Sequence, residues 1–142
     1  MGKILCATRG GEASYHTQDA AIALAQEQGD ELLFLYVVDV NFLDKTARAV
    51  RPDVVAAEMA KMGEFLLLMA QERAQKQGVA ATYVLRHGAL RQELTAAARE
   101  EGVDLVVLGK PAGTGSAFVP ADLEAFAAEI EAETGIKARI IG

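Results

Sequence analysis

The sequence is nearly devoid of cysteine and has no tryptophan, and each shortage narrows what the chain can be. Cys6 is the single cysteine among 142 residues, so there is no disulfide framework and the composition suits a reducing compartment. It lies in an apolar stretch, where a thiol behaves as a small hydrophobe. Aromatic residues make up only 6% of the chain, which leaves little to sandwich a flavin. Positive charge is short as well: 14 Lys and Arg stand against 20 Asp and Glu, a formal net charge of −6. A surface of that sign repels phosphate backbones, which argues against nucleic-acid binding. No apolar run approaches the ~20 residues that span a bilayer, which argues against membrane insertion. The opening Met1-Gly2-Lys3-Ile4-Leu5 lacks the apolar core and small-residue cleavage site of a signal peptide. The expectation is a cytoplasmic protein.

What the chain does have is apolar residues in regular order. Hydrophobic residues make up 51%, enough at this length to bury the core of one domain over residues 1–142. Residues 4–7 read as a buried strand, stopped by Thr8-Arg9-Gly10-Gly11. A helix follows from about Ser14 or Thr17 to Gln28, with Ala21, Leu24 and Ala25 inward and Gly29 as its stop. Residues 32–38 show no polar alternation, the mark of a parallel strand covered on both faces. Pro52 opens a second helix that runs to about Gln77 and stops at Gly78. Along it Val55, Met59, Met62, Leu66 and Met69 recur at helical spacing and predict a core-facing stripe. A row of mostly small residues lies beside that stripe: Ala56, Ala60, Gly63, Leu67, Ala70 and Ala74. Three of the four methionines sit on the stripe, which makes them core residues rather than metal ligands.

Residues 79–85 predict a third strand, closing at Arg86-His87-Gly88. A third helix covers about 90–101, with Leu90, Leu94, Ala97 and Ala98 inward and Gly102 as its stop. Residues 103–108 form a fourth strand that ends at Gly109, and a loop runs from Lys110 to Val119. Pro120 opens a last helix with Leu123, Phe126, Ala127 and Ile130 on its buried side, ended by Gly135. Ile136 and Ile141 bound a fifth strand on which Lys137 and Arg139 alternate outward. Short β-α-β crossovers force parallel strands and right-handed winding. The predicted fold is α/β, a three-layer doubly wound domain around a five-stranded parallel sheet.

The stretch from Ile4 through Thr8-Arg9-Gly10-Gly11-Glu12-Ala13-Ser14, the strand end Tyr36-Val37-Val38-Asp39, and Gly102-Val103-Asp104-Leu105-Val106-Val107-Leu108-Gly109 resemble the universal stress protein family in order and spacing. The resemblance covers most of residues 3–113. It implies the adenine-nucleotide alpha-hydrolase-like fold with strand order 3-2-1-4-5. It also implies a homodimer paired through the edge strand 136–141. Nucleotide-binding members usually end the first strand in an aspartate near the adenosine, where this chain has Arg9. Val38 matches the valine whose backbone meets the adenine. The phosphate motif G-x2-G-x9-G-(S/T) keeps its first glycine as Gly109. Ala112 stands in place of the second, and Leu123 stands ten residues beyond Gly113, where a third would be expected.

In an open doubly wound sheet, ligands bind beyond the carboxyl strand ends where the order reverses. That crevice would gather Ala7, Thr8, Arg9, Val38, Gly109 and Lys110. Gly113, Gly115 and Ser116 would add backbone N–H groups in an anion-binding nest. Arg9 and Lys110 would face a phosphate or carboxylate, the Arg as a bidentate fork. Two readings stay open: a regulatory stress-response protein holding ATP, AMP or another small anion, and a non-nucleotide-binding member acting as a dimeric interaction module. Slow ATP hydrolysis follows from family analogy alone. No catalytic residue is expected, because Thr8, Ser14 and Ser116 lack a base–orienter pair. No metal is expected, because neither His16 nor His87 has a second histidine or cysteine at ligand spacing. Receiver-domain chemistry needs acids at the end of the first strand, and Arg9 stands there.

Overall fold

The computed structural model describes residues 2–9, 12–39, 52–110 and 120–141. Strands β1 (Lys3–Ala7), β2 (Glu31–Val38), β3 (Ala81–His87), β4 (Leu105–Gly109) and β5 (Lys137–Ile141) alternate with helices α1 (Glu12–Gln28), α2 (Pro52–Lys76), α3 (Leu90–Glu100) and α4 (Pro120–Thr134). The strands form one sheet in the order β3-β2-β1-β4-β5, and every pairing is parallel. This is the doubly wound arrangement that the alternation of runs predicts.

Alternate residues of each strand face opposite layers. Ile4, Cys6, Leu32, Phe34, Tyr36 and Val107 pack beneath α1 and α2, against Ala21, Ala25, Leu67 and Ala70. Leu5, Leu33, Leu35 and Val106 pack on the other face, against Leu94 and Ala97 of α3 and Phe126 and Ile130 of α4. With helices over both faces, β2 has no reason to alternate in polarity.

Two strands begin two residues later than predicted, for one shared reason. Gly78 takes φ +78°, and the N–H of Val79 then donates back to the Ala74 carbonyl at 3.0 Å. This is the closing bond of a helix C-terminus, so Val79 finishes α2 and β3 starts at Ala81 instead of 79. Val103 closes α3 in the same way, donating to Ala98 at 3.2 Å, and β4 starts at Leu105 instead of 103. Helix α1 begins at Glu12, earlier than Ser14 or Thr17.

The buried face of α2 is also not the predicted one. Met62 is 62% exposed, whereas Gly63, Leu67, Ala70 and Ala74 are buried. A Cβ at Gly63 would lie 2.5 Å from the Tyr36 ring. The row of small residues lets the helix settle onto the sheet, and Val55, Met59, Leu66 and Met69 are left half-buried on its flank.

Candidate functional site

Parallel pairing brings all the strand ends to one edge. Cys6 is in register with Val107 across the β1–β4 pair, so Thr8 and Arg9 leave β1 beside Gly109 and Lys110. Connections run from here to β2 and β3 on one side and to β4 and β5 on the other, which makes this the switch point of the sheet. Ala7 is in register with Leu35 of β2, and Val38 ends that strand at the same edge. Of the predicted site residues, Ala7, Thr8, Arg9, Val38, Gly109 and Lys110 therefore share one mouth. Gly113, Gly115 and Ser116 lie outside the described residues, as do Gly10 and Gly11.

The mouth has a polar floor. Thr8, Thr17 and Gln18 are the buried polar side chains of the described chain, and all three meet here. Gln18 Nε2 donates to Thr8 Oγ1 at 2.9 Å, and the Thr8 N–H donates to the Leu35 carbonyl at 2.9 Å. Thr17 stands against β4, where a Cβ on Gly109 would come within 2.2 Å of its Oγ1. Gly109 is thus demanded by the approach of α1 to β4 before any ligand is considered. Gln18 Oε1 is buried with no hydrogen-bond partner. Such an orphan acceptor costs about 1–3 kcal/mol. Thr17 and Gln18 stand four residues before Ala21 and Ile22 on the buried stripe of α1. Their polarity in that stripe is the sequence signal that motif spacing passes over.

Much of the surrounding edge is already engaged in holding the fold. The Val38 carbonyl accepts the Gly88 N–H at 3.1 Å, and the Val38 side chain is fully buried. Asp39 Oδ2 accepts the Leu90 N–H at 3.0 Å, where a carboxylate suits the first turn of α3. Arg86 donates Nε to Glu93 Oε1 at 2.9 Å and Nη1 to Glu100 Oε2 at 2.7 Å. The hydrogen bond to Glu100, then that to Glu93, raises the Arg86 pKa above its ordinary value. Arg86 is committed to α3, two strands away from the mouth.

Arg9 and Lys110 stand at the rim. The Arg9 N–H donates to Ser14 Oγ at 3.3 Å, which turns the chain into α1, while its side chain is exposed at the rim. Partial desolvation lowers its pKa from the ordinary value, and a guanidinium so shifted still carries its charge at neutral pH. The Lys110 N–H donates to the Ile141 carbonyl at 2.8 Å, leaving an exposed ammonium on the other side of the mouth. The arrangement offers two cations above a buried, unmatched acceptor.

Other places offer less. A cavity of about 300 Å³ opens between α3 and α4, but Arg91 on its wall is paired with Glu129 at 3.2 Å and Arg99 donates to the Glu133 carbonyl at 3.3 Å. Among the described residues, no group of three or more His, Cys, Asp or Glu side chains is placed to hold a metal ion. Among the same residues, no helix is long and apolar enough to cross a membrane.

The sheet order, the layers and the mouth at the switch point define an α/β domain of the adenine-nucleotide alpha-hydrolase-like type. The model of the Universal stress protein family matches residues 1–119, and the chain belongs to that family. It is 34% identical over 116 residues to the universal stress protein YxiE of Bacillus subtilis, covering 77% of this chain and 78% of that one. A solved universal stress family protein from Burkholderia pseudomallei superimposes with a TM-score of 0.75 at 25% identity, over 99% of this chain and 95% of that one. The universal stress protein from Archaeoglobus fulgidus, solved in complex with dAMP, matches with a TM-score of 0.66 at 12% identity. That match covers 100% of this chain and 98% of that one.

Proposed function

We propose that this chain is a small regulatory binding protein of the stress response, and that its carboxyl-edge mouth takes an adenine nucleotide such as ATP or AMP, or another small anion. The observation that carries this reading is that Arg9 and Lys110 follow the ends of the adjacent strands β1 and β4, next to the Thr8–Gln18 hydrogen bond. The cations suit a phosphate. The unmatched Gln18 acceptor is sealed from solvent, so a donor on the ligand, such as an adenine amino group or a ribose hydroxyl, meets it only if the side chain turns outward. The dAMP held by the Archaeoglobus relative supports the nucleotide choice. Arg9 in place of the expected aspartate moves the weight of recognition toward the anionic end of the ligand.

The test is calorimetric titration of the chain, stripped of endogenous ligand, with ATP, ADP and AMP, each with and without magnesium, and with inorganic phosphate. Saturable heat with the nucleotides is the expected result. Heat with phosphate alone moves the reading to a general anion site, and no heat with any of them at millimolar concentration removes it.

The second reading is an interaction module that dimerises through β5. In its favour, among the described residues β5 pairs only with β4 and lies at the sheet edge, where free backbone groups invite another strand. Against it, the Ala138 N–H is already taken by Glu131 Oε1 at 3.1 Å, which blunts that edge. Glu131→Ala frees the amide, so pairing through β5 predicts a tighter dimer for this variant in sedimentation. An unchanged association constant discounts the β5 contact.

A further inference from the structure

Four of the five large apolar side chains exposed among the described residues, Val54, Met62, Phe65 and Leu68, lie on α2. The fifth, Tyr83, lies on the neighbouring β3. Phe65 and Met62 are each 62% exposed. The helix buries its opposite side, Gly63, Leu67, Ala70 and Ala74, against the sheet, so the outer apolar face is not a by-product of core packing. Lys61, Phe65, Leu68 and Glu72 follow the 4-3-4 spacing of a helix-pairing seam, and Val54 extends it. From Val54 to Glu72 the seam runs about 27 Å along the helix. Stripes of this kind on a soluble surface mark contact sites.

We propose that a second copy of this chain covers this face, its α2 packed antiparallel about a two-fold axis passing between positions 66 and 67. The charges select this arrangement. About that axis Lys61 stands opposite Glu72 of the partner subunit, and Phe65 stands opposite the partner's Leu68. Each contact occurs twice, as a two-fold interface requires. Glu58 falls opposite the partner's Gln75 and Met62 opposite the partner's Gln71, so no like charges meet. A parallel pairing would set Lys61 against Lys61 and Glu72 against Glu72, a repulsive register. A lipid surface suits the face poorly, because Glu58, Glu64 and Glu72 flank it and outnumber the exposed cations Lys61 and Lys76. Lys61 is held only loosely within its own chain, 3.9 Å from Glu58 with both side chains largely exposed. This contact is independent of the nucleotide reading and lies on the side of the sheet away from β5.

The test is sedimentation of the full chain and three variants at exposed positions, with far-UV circular dichroism to confirm that each is folded. Phe65→Glu places two carboxylates near the axis and is expected to halve the mass of the assembly, whatever other contact exists. Lys61→Glu sets acids against Glu72 and weakens association about tenfold. Adding Glu72→Lys to it reverses both charges and restores the original association constant. A monomeric unmodified chain overturns the proposal and leaves the face to a different partner. A mass unchanged by Phe65→Glu, or a double variant no tighter than Lys61→Glu alone, overturns the stated interface.

Discussion

Replacing Gly109 with alanine drives a methyl group into Thr17. The new Cβ would lie 2.2 Å from Thr17 Oγ1, 3.1 Å from its Cβ and 3.3 Å from its Cγ2. Thr17 is buried and β-branched, so its side chain has few rotamers in which to retreat. Overpacking of this kind costs about 1–3 kcal/mol. Truncation of Thr17 to alanine removes the two branch atoms and leaves the residual contact at 3.1 Å, a gap that small shifts relieve. In the Thr17→Ala background, Gly109→Ala should therefore cost less than about 1 kcal/mol, a coupling of about 1–2 kcal/mol between the sites. Urea unfolding of the four proteins, with a common m-value, measures this cycle. AMP titration of the double variant then separates the roles of the glycine. Binding that recovers with stability assigns Gly109 to packing, and binding that stays lost assigns it to the ligand as well. Equal cost in both backgrounds, or no cost in either, refutes the account of why glycine stands at this strand end.

Two further outcomes follow from the packing of the α1–α2 layer. Burial raises the Cys6 thiol from 9.0 to about 12. Above pH 9 the unfolded chain sheds this proton while the folded chain keeps it, so stability falls with rising pH. Relative to Cys6→Ala, the unmodified chain should lose about 1.4 kcal/mol per pH unit between pH 9 and 12, and parallel stability curves would contradict the buried thiol. Gly63→Ala gains about 1 kcal/mol of helix propensity, yet its methyl would meet Tyr36 Cδ1 at 2.5 Å and Leu85 Cδ1 at 3.0 Å. With both neighbours packed, overpacking of about 1–3 kcal/mol prevails. A lower unfolding midpoint is expected, and a raised one would show that α2 has room to lift.

The order of elements was legible because apolar runs and stops speak independently and agree. Gly29, Gly78, Gly102 and Gly135 each take positive φ just past a helix end, where sequence reasoning puts a stop. Boundaries slipped at Val79 and Val103, which look like strand residues but spend their amides closing a helix. The face of α2 was misread because hydrophobicity is a property of the residue, while burial depends on how closely the backbone approaches the sheet. Gly63 wins over Met62 for that reason. At the mouth, Thr8, Arg9, Gly109 and Lys110 were legible once the family resemblance supplied the strand order. Thr17 and Gln18 became readable only once α1 was seen against the end of β4, since one polar pair in a helix has many innocent explanations.

Arg9 then bears the question of what the mouth prefers. Neighbouring polar groups are spent: the Val38 carbonyl on Gly88, Asp39 on the first turn of α3, and Arg86 on Glu93 and Glu100. Under the proposed reading, and among the described residues, discrimination between a nucleotide and its nucleoside falls on the rim cations. A charge-assisted hydrogen bond contributes about 1.5–3 kcal/mol, which corresponds to about 10–100-fold in affinity. Arg9→Asp removes that attraction and installs the acid that the family resemblance leads one to expect near the adenosine. AMP affinity should fall by about that factor while adenosine affinity holds or rises, and the AMP preference of the unmodified chain should shrink as salt screens the rim. Calorimetry with AMP and adenosine on both proteins, at low and high salt, measures the ratio. If Arg9→Asp leaves the AMP-to-adenosine ratio where it was, the guanidinium is a solvated rim residue and the phosphate, if held, is held by backbone alone.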